Sequence, residues 1–179
     1  LRERKLWDNT VVVFVSDHGE EFFDHEGWWH GQTLHEELVR VPLAVKLPQG
    51  AHGGEVNEDL ARLVDVAPTF LGLAGLPPAE GMSGVALFYA GLNPVNAGIA
   101  YTYAENDFEN NILKAVRDGR HALITANPGN PRGAAPVELY DTEHDAGELK
   151  NVAEDAAYAE LLKALAGVLD EYRRVIEEN

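Results

Sequence analysis

Cysteine is absent from the 179 residues. That excludes, within this chain, a disulfide, a thiolate metal site and a cysteine nucleophile. It leaves the redox compartment open, since a cysteine-free protein is stable in either regime. Basic residues are scarce: 14 Lys and Arg stand against 30 Asp and Glu, a formal charge of −16. Phosphate contacts need clustered cations, so nucleic acid is not expected as a partner. An anionic membrane surface is disfavoured for the same reason, and the acidity reads first as solubility. No apolar run approaches the length of a membrane span, so no membrane partner is expected, and no leader-like segment is visible. Apolar content, at 45%, is ordinary, and the length suffices for a core.

One stretch organises what is there: Val11-Val12-Val13-Phe14-Val15-Ser16-Asp17-His18-Gly19-Glu20. A short β-branched apolar run bounded by polar and glycine residues reads as a strand buried on both faces, of the kind usual in parallel sheets. Ligands of open α/β sheets bind just beyond the carboxyl ends of such strands. Asp17 and His18 stand at that end, and a carboxylate beside an imidazole offers two metal ligands. The plain alternative is that Asp17 caps a turn and His18 is a loop histidine.

Before the strand, residues 1–6 read as the tail of a helix without an N-cap. After it, residues 19–32 read as a loop, residues 33–39 as a short helical turn and residues 40–48 as a second strand. Residues 57–75 carry a helical pattern, with Asp65 as N-cap, Pro68 in the first turn, Phe70, Leu71 and Leu73 facing inward, and Gly75 as the stop. A change of style follows between residues 85 and 98. Short strands are expected over 99–104, 111–117, 120–125 and 137–140, with Asp118-Gly119 as a hairpin turn. Residues 153–178 read as a long amphipathic helix whose apolar face is Leu161, Leu162, Leu165, Val168, Leu169, Tyr172 and Ile176.

Four stretches, in order, carry a resemblance: DNTVVVFVSDHGEEFFDHEGWWHG (8–31), LHEELVRVPLAVKLPQG (34–50), LVDVAPTFLGLAGLPPAEGMSGVAL (63–87), and KAVRDGRHALI with ELYDTEHDAGELKNVAED (114–155). Together they resemble the carboxyl-terminal half of the sulfatases, in the alkaline-phosphatase-like superfamily. The resemblance implies an α/β fold: part of an alkaline-phosphatase-like α/β sandwich over residues 1–90, followed over 91–179 by a small antiparallel sheet packed with a C-terminal helix. Family members are longer than this chain. Their nucleophile, a formylglycine made from Cys or Ser in C/S-x-P-x-R, lies in the amino-terminal half. This sequence has no such motif, so the resemblance implies a fragment, inactive alone, with any signal peptide upstream.

The resemblance assigns roles by position. Asp17 and His18 match the family's second pair of metal ligands, where Asp-Asn is also common. Oxygen ligands favour Ca²⁺ and imidazole widens the choice to Mn²⁺ or Zn²⁺; calcium is implied first. His30 falls near a lysine that contacts the sulfate in many sulfatases. A histidine there would assist the leaving oxygen as the catalytic acid, and relatives acting on phosphodiesters and phosphonates use histidine at similar places. His35 and His121 read as structural, His25 as solvated and Arg40 as a buried cation. Trp28 and Trp29 read first as anchors of the loop, with the lining of a substrate pocket as the alternative, and Glu36 and Glu37 as structural hydrogen-bonding groups. The implied activity is hydrolysis of a sulfate ester: a sulfated sugar, an aryl ester or an alkyl ester. The alternatives are a phosphodiesterase, phosphonate hydrolase or phospho-transferase on the same scaffold, or a non-enzymatic metal-binding or dimerising module. Exposed sheet edges predict homo-oligomers.

Overall fold

A computed structural model of the chain describes residues 1–92, 94–95 and 98–177. It is an α/β structure whose contacts divide it into two compact units. One is Leu1–Asp17 with Pro42–Ala100; the other is His18–Val41 with Tyr101–Asn179. Asn93, Asn96 and Ala97, in the expected change of style, lie outside the described residues, as does Glu178 at the expected helix end.

In the first unit, β1 (Val12–Val15) pairs antiparallel with β4 (Leu43–Lys46), Val12 opposite Lys46 and Val15 opposite Leu43. This corrects the expectation of a parallel strand buried on both faces. The sheet has two strands among the described residues, and two strands cannot cover both faces, so Phe14 stands 66% exposed. Lys46 fastens the sheet to the preceding turn by donating to the carbonyls of Trp7 and Thr10, with its ammonium 5.0 Å from the centre of the Trp7 ring. Residues 1–6 form turns, and a 3-10 turn follows at Trp7–Asn9.

Of the helical pattern expected over 57–75, residues 57–62 are not helical; the helix is α2 (Val66–Leu73), preceded by a 3-10 turn at Leu63–Asp65 and closed at Gly75 with φ +72°. Asp65 stands at the N-cap, but its buried carboxylate does not cap α2. It accepts from the Arg62 backbone N–H and guanidinium and from the Val85 N–H, all at 2.8–3.1 Å. The inward face is Pro68, Thr69 and Gly72 rather than Phe70, Leu71 and Leu73, and Phe70 is 45% exposed. Close approach to residues 84–88 sets that choice. A Cβ on Gly72 would lie 2.7 Å from the Phe88 carbonyl oxygen, and one on Gly84 2.0 Å from that of Val64.

The second unit is built on a four-stranded antiparallel meander: β5 (Thr102–Phe108), β6 (Asn111–Arg117), β7 (His121–Ala126) and β8 (Val137–Asp141). Asp118 and Gly119 make the predicted turn: the Asp118 carboxylate accepts from the Arg120 and His121 N–H groups, and Gly119 takes φ +89°. The β5–β6 turn, at Glu109 and Asn110 with φ +52° and +63°, was not expected. Nor was the length of β5, because Glu105, Asn106 and Asp107 are poor strand formers; an edge strand tolerates them.

Alternation divides the sheet's apolar residues between two faces. Val116, Leu123 and Leu139 pack against Leu165 and Leu169 of α3 (Ala159–Glu177), as expected of a small sheet with a C-terminal helix across it. Ile176 is 51% exposed and lies off the expected apolar face. Leu113, Ala115, Ala122, Ile124 and Tyr140 form the other face, covered by Leu34 and Val39. The segment from His18 to Val41 is therefore the lid of this sheet, and it carries the histidines. Among the described residues, no helix is long and apolar enough to cross a membrane.

Candidate active site

Beyond β1 the chain runs Ser16-Asp17-His18-Gly19-Glu20. Asp17 and His18 are both exposed. Gly19 is held against the short helix α1 (Glu36–Val39): its N–H donates to the Leu38 carbonyl at 2.8 Å, and a Cβ there would lie 1.8 Å from the Glu37 carbonyl oxygen. Only glycine permits that approach. The turn between His18 and Glu20 is thus fixed.

A two-stranded ribbon replaces the expected loop. β2 (Glu21–Phe22) pairs with β3 (Trp28–Trp29), Glu21 opposite Trp29. The carboxylate of Glu21, buried completely, organises its tip by accepting from the Gly27 N–H at 3.1 Å and the His25 N–H at 3.3 Å. Trp29 adopts φ +75°, unusual for a bulky residue. Trp28 and Trp29 are 53% and 69% exposed, so within this chain they do not anchor the ribbon.

The Glu21–Trp29 register brings Glu20 beside His30, and the geometry joins His30 to His18. Their ring centres are 4.3 Å apart, tilted by 31°. His30 Nδ1 lies 3.2 and 3.3 Å from the two oxygens of Glu20. His18 Nδ1 lies 2.7 Å from the carbonyl of Gly19. A carbonyl oxygen can only accept, so His18 Nδ1 carries a proton, and any metal would be met by Nε2. Metal-binding histidines are commonly oriented in this way. With the carboxylate of Asp17 next in the chain, these donor types suit a divalent cation.

Behind this edge lies a network in which His35, Glu36 and Glu37 have the structural roles expected of them, while its centre, Glu148 with Arg117, was not anticipated. His25 is not solvated. Its Nδ1 is 2.7 Å from Glu37 and its Nε2 is 3.1 Å from the Glu148 carbonyl, and its ring stacks on that of buried His35 at 3.7 Å. Burial draws the His25 pKa down, but the hydrogen bond and charge of Glu37, with those of Glu148, outweigh it and leave the pKa raised. His35 Nδ1 donates to Glu148 at 3.2 Å, and Glu148, fully buried, receives both arms of Arg117 and the Glu36 N–H. Burial would raise the Glu148 pKa; His35, Arg117 and the Glu36 amide hold it instead at about 2. Arg40, by contrast, is an exposed partner of Glu36 and not a buried cation.

Ligand atoms of Glu21, His25 and Glu37 lie within 4.8 Å of one another. Both ring nitrogens of His25 already face acceptors, however, and an imidazole that donates twice has no lone pair for a metal. His25 and Glu37 form an ion pair, and Glu21 joins them through the His25 backbone N–H. One signal could have revealed the centre of the network. Arg117 shares the parity of Leu113 and Ala115 on β6, so it points to the core, and a core-facing cation demands a buried carboxylate. His121, bonded to Asp118 at 3.1 Å, has the structural place expected of it.

Comparison with known proteins agrees with this architecture. The chain is 29% identical to an N-acetylglucosamine-6-O-sulfatase of Bacteroides thetaiotaomicron over 180 residues, covering 96% of this chain and 31% of that protein. A solved structure of a protein in complex with its substrate D-glucosamine-2-N,6-O-disulfate superposes with a TM-score of 0.85 at 26% identity, covering all of this chain and 37% of the other. The phosphonate monoester hydrolase of Agrobacterium radiobacter superposes with a TM-score of 0.80 at 28% identity, over 97% of this chain and 37% of the other. The chain thus spans about a third of the length of the proteins it matches. Residues 24–175 match the family described as N-sulphoglucosamine sulphohydrolase, C-terminal, and the chain belongs to that sulfatase family, as a carboxyl-terminal portion.

Proposed function

We propose that this chain is the carboxyl-terminal part of a metal-dependent sulfuric ester hydrolase, and that Asp17, His18 and His30 are its share of the active site. The observation that carries the reading is the pair of histidine rings 4.3 Å apart, each with Nδ1 engaged by an oxygen. Asp17 and the Nε2 of His18 would hold the cation, calcium first and manganese or zinc as alternatives. Such a cation would neutralise the sulfate oxygens and hold the hydroxyl nucleophile. His30 Nε2 would protonate the leaving oxygen. The nucleophile, a hydrated formylglycine, would be supplied by sequence outside these 179 residues. The chain alone is therefore expected to be inactive. A sulfated sugar is the favoured substrate class, because the N-acetylglucosamine-6-O-sulfatase and the glucosamine disulfate complex are among its relatives.

Phosphoryl chemistry on the same scaffold is the second reading. Histidine rather than lysine at position 30, and the likeness to a phosphonate monoester hydrolase, favour it. One experiment separates the two. Turnover of an aryl sulfate and an aryl phosphodiester is measured with Ca²⁺ or Mn²⁺, for this chain and for the full-length protein. Turnover by the full-length protein alone supports the division of the site, and the preferred ester names the chemistry. Comparable turnover by the 179 residues alone refutes the missing nucleophile.

A further inference from the structure

His30 is gripped on one edge and screened on one face. Both oxygens of Glu20 lie almost equally far from Nδ1, at 3.2 and 3.3 Å. Carboxylate oxygens accept, so Nδ1 bears the hydrogen that Glu20 receives. The two nitrogens of an imidazole point to opposite sides of the ring, so Nε2 faces away from Glu20. The ring of His18, 4.3 Å away, covers one face of His30 and restricts how it can swing. Glu20 is itself placed by two backbone constraints: the Gly19 turn against α1 and the Glu21–Trp29 register.

Fold stability does not account for this pair. His30 is 54% exposed and Glu20 34% exposed, and an ion pair so open to solvent adds little to folding. The carboxylates that hold the unit together, Glu21 and Glu148, are fully buried elsewhere. What the Glu20–His30 contact does is choose which nitrogen of His30 faces outward.

We propose that Glu20 is a positioning residue for His30, fixing the ring so that Nε2 meets the leaving oxygen of the ester. The inference rests on the reading of His30 as the leaving-group acid. In that step the sulfuryl group passes to the deprotonated hydroxyl of the hydrated formylglycine, an alkoxide, and the sulfur–oxygen bond to the alcohol breaks. Its electron pair stays on the alcohol oxygen, the Nε2 proton follows it, and His30 is left neutral with its Nδ1–H on Glu20. Proton donation matters most when the leaving alcohol is a poor one. Loss of Glu20 should therefore cost little on an activated aryl ester and much on a sugar or alkyl ester.

The test uses the full-length protein, its Glu20→Gln and His30→Ala variants and the double variant. kcat/KM is measured on 4-nitrophenyl sulfate and on an unactivated sugar sulfate. We expect Glu20→Gln to lower turnover of the sugar ester by about tenfold or more, with less than about threefold change on the aryl ester. In the His30→Ala background, Glu20→Gln should add nothing further. An equal loss on both esters, or an undiminished effect of Glu20→Gln without His30, overturns the inference and marks Glu20 as structural. If His30→Ala itself spares the distinction between the esters, the reading of His30 as the acid fails. If His30→Ala is selective and Glu20→Gln is silent, only the role of Glu20 fails.

Discussion

Replacing Glu148 by Gln keeps the side chain's volume and removes its charge, which makes it a clean probe of the buried network. In the native unit the carboxylate is fully buried, receives both arms of Arg117, the His35 ring and the Glu36 N–H, and is held at about 2 against an ordinary 4.5. Each tenfold of that preference is worth about 1.4 kcal/mol, so the ionised form contributes about 3 kcal/mol to folding. Truncating one partner of a buried pair costs about 3–5 kcal/mol, because the other charge is left uncompensated. The two figures agree near 3. The sign follows from the depressed pKa: the contribution is complete above about pH 4.5 and is lost as pH falls through 2, with about 1 kcal/mol left at pH 3. At pH 7, Glu148→Gln should therefore lower stability by about 3 kcal/mol and Tm by about 6–12 °C for a chain of this size. The gap between variant and native protein should narrow as the solution is acidified. Urea and thermal unfolding followed by far-ultraviolet circular dichroism, at pH 7, 5 and 3, measure it. A difference below about 1 kcal/mol at pH 7, or one that stays constant down to pH 3, would refute the assignment.

Three further outcomes are expected. His25, with a raised pKa, has the opposite sign: its contribution is full below its unfolded value near 6.5 and is lost as pH rises through the raised folded value. Native protein should lose urea resistance as pH rises above about 6.5, and His25→Gln should flatten that decline; parallel curves would show that the His25–Glu37 pair is idle. Gly19→Ala places a methyl 1.8 Å from the Glu37 carbonyl oxygen, so the turn must move, at about 1–3 kcal/mol in stability; an unchanged melting curve would mean that the turn is slack. Leu165→Ala, on α3 at 1% exposure against Val116, Leu123 and Leu139, should cost about 2–5 kcal/mol, measured by the same unfolding assay.

Much of the scaffold was legible because it is written in local chemistry. β6 and β7 declare themselves by apolar alternation about Asp118-Gly119, and α3 by its stripe of leucines. β5 runs past its expected end: Glu105, Asn106 and Asp107 look like loop, and only the position of the strand at the sheet edge makes them tolerable. α2 was placed correctly but rotated wrongly, since Gly72 and Gly84 let backbone approach closely and that approach, not side-chain hydrophobicity, chose the buried face. β1 was overread: five apolar residues in a row say that a strand wants cover on two faces, and they do not say what supplies it.

The geometry of the candidate site was legible in a different measure, and the reason is distance along the chain. His18 and Glu20 are positioned by neighbours within some twenty residues: the Gly19 carbonyl, the Leu38 carbonyl and His30. Here the motif is nearly the geometry. His25 and His35 depend on Glu148, more than a hundred residues away; the resemblance marks His35 as structural, but nothing beside His25 in the sequence distinguishes it from a solvated loop histidine. Yet the far partner also determines the near site. Glu148 takes the His35 ring and the Glu36 N–H at the start of α1, and α1 is the wall on which Gly19 rests. A single buried carboxylate in the sheet's lid contact thus sets the surface against which His18 and Glu20 are held. This gives the histidine network a purpose beyond stability. Loosening Glu148 should disturb the alignment of His18 with His30 before it unfolds the sheet, because α1 is four residues long and its first turn is tied down through the Glu36 N–H and His35 to Glu148.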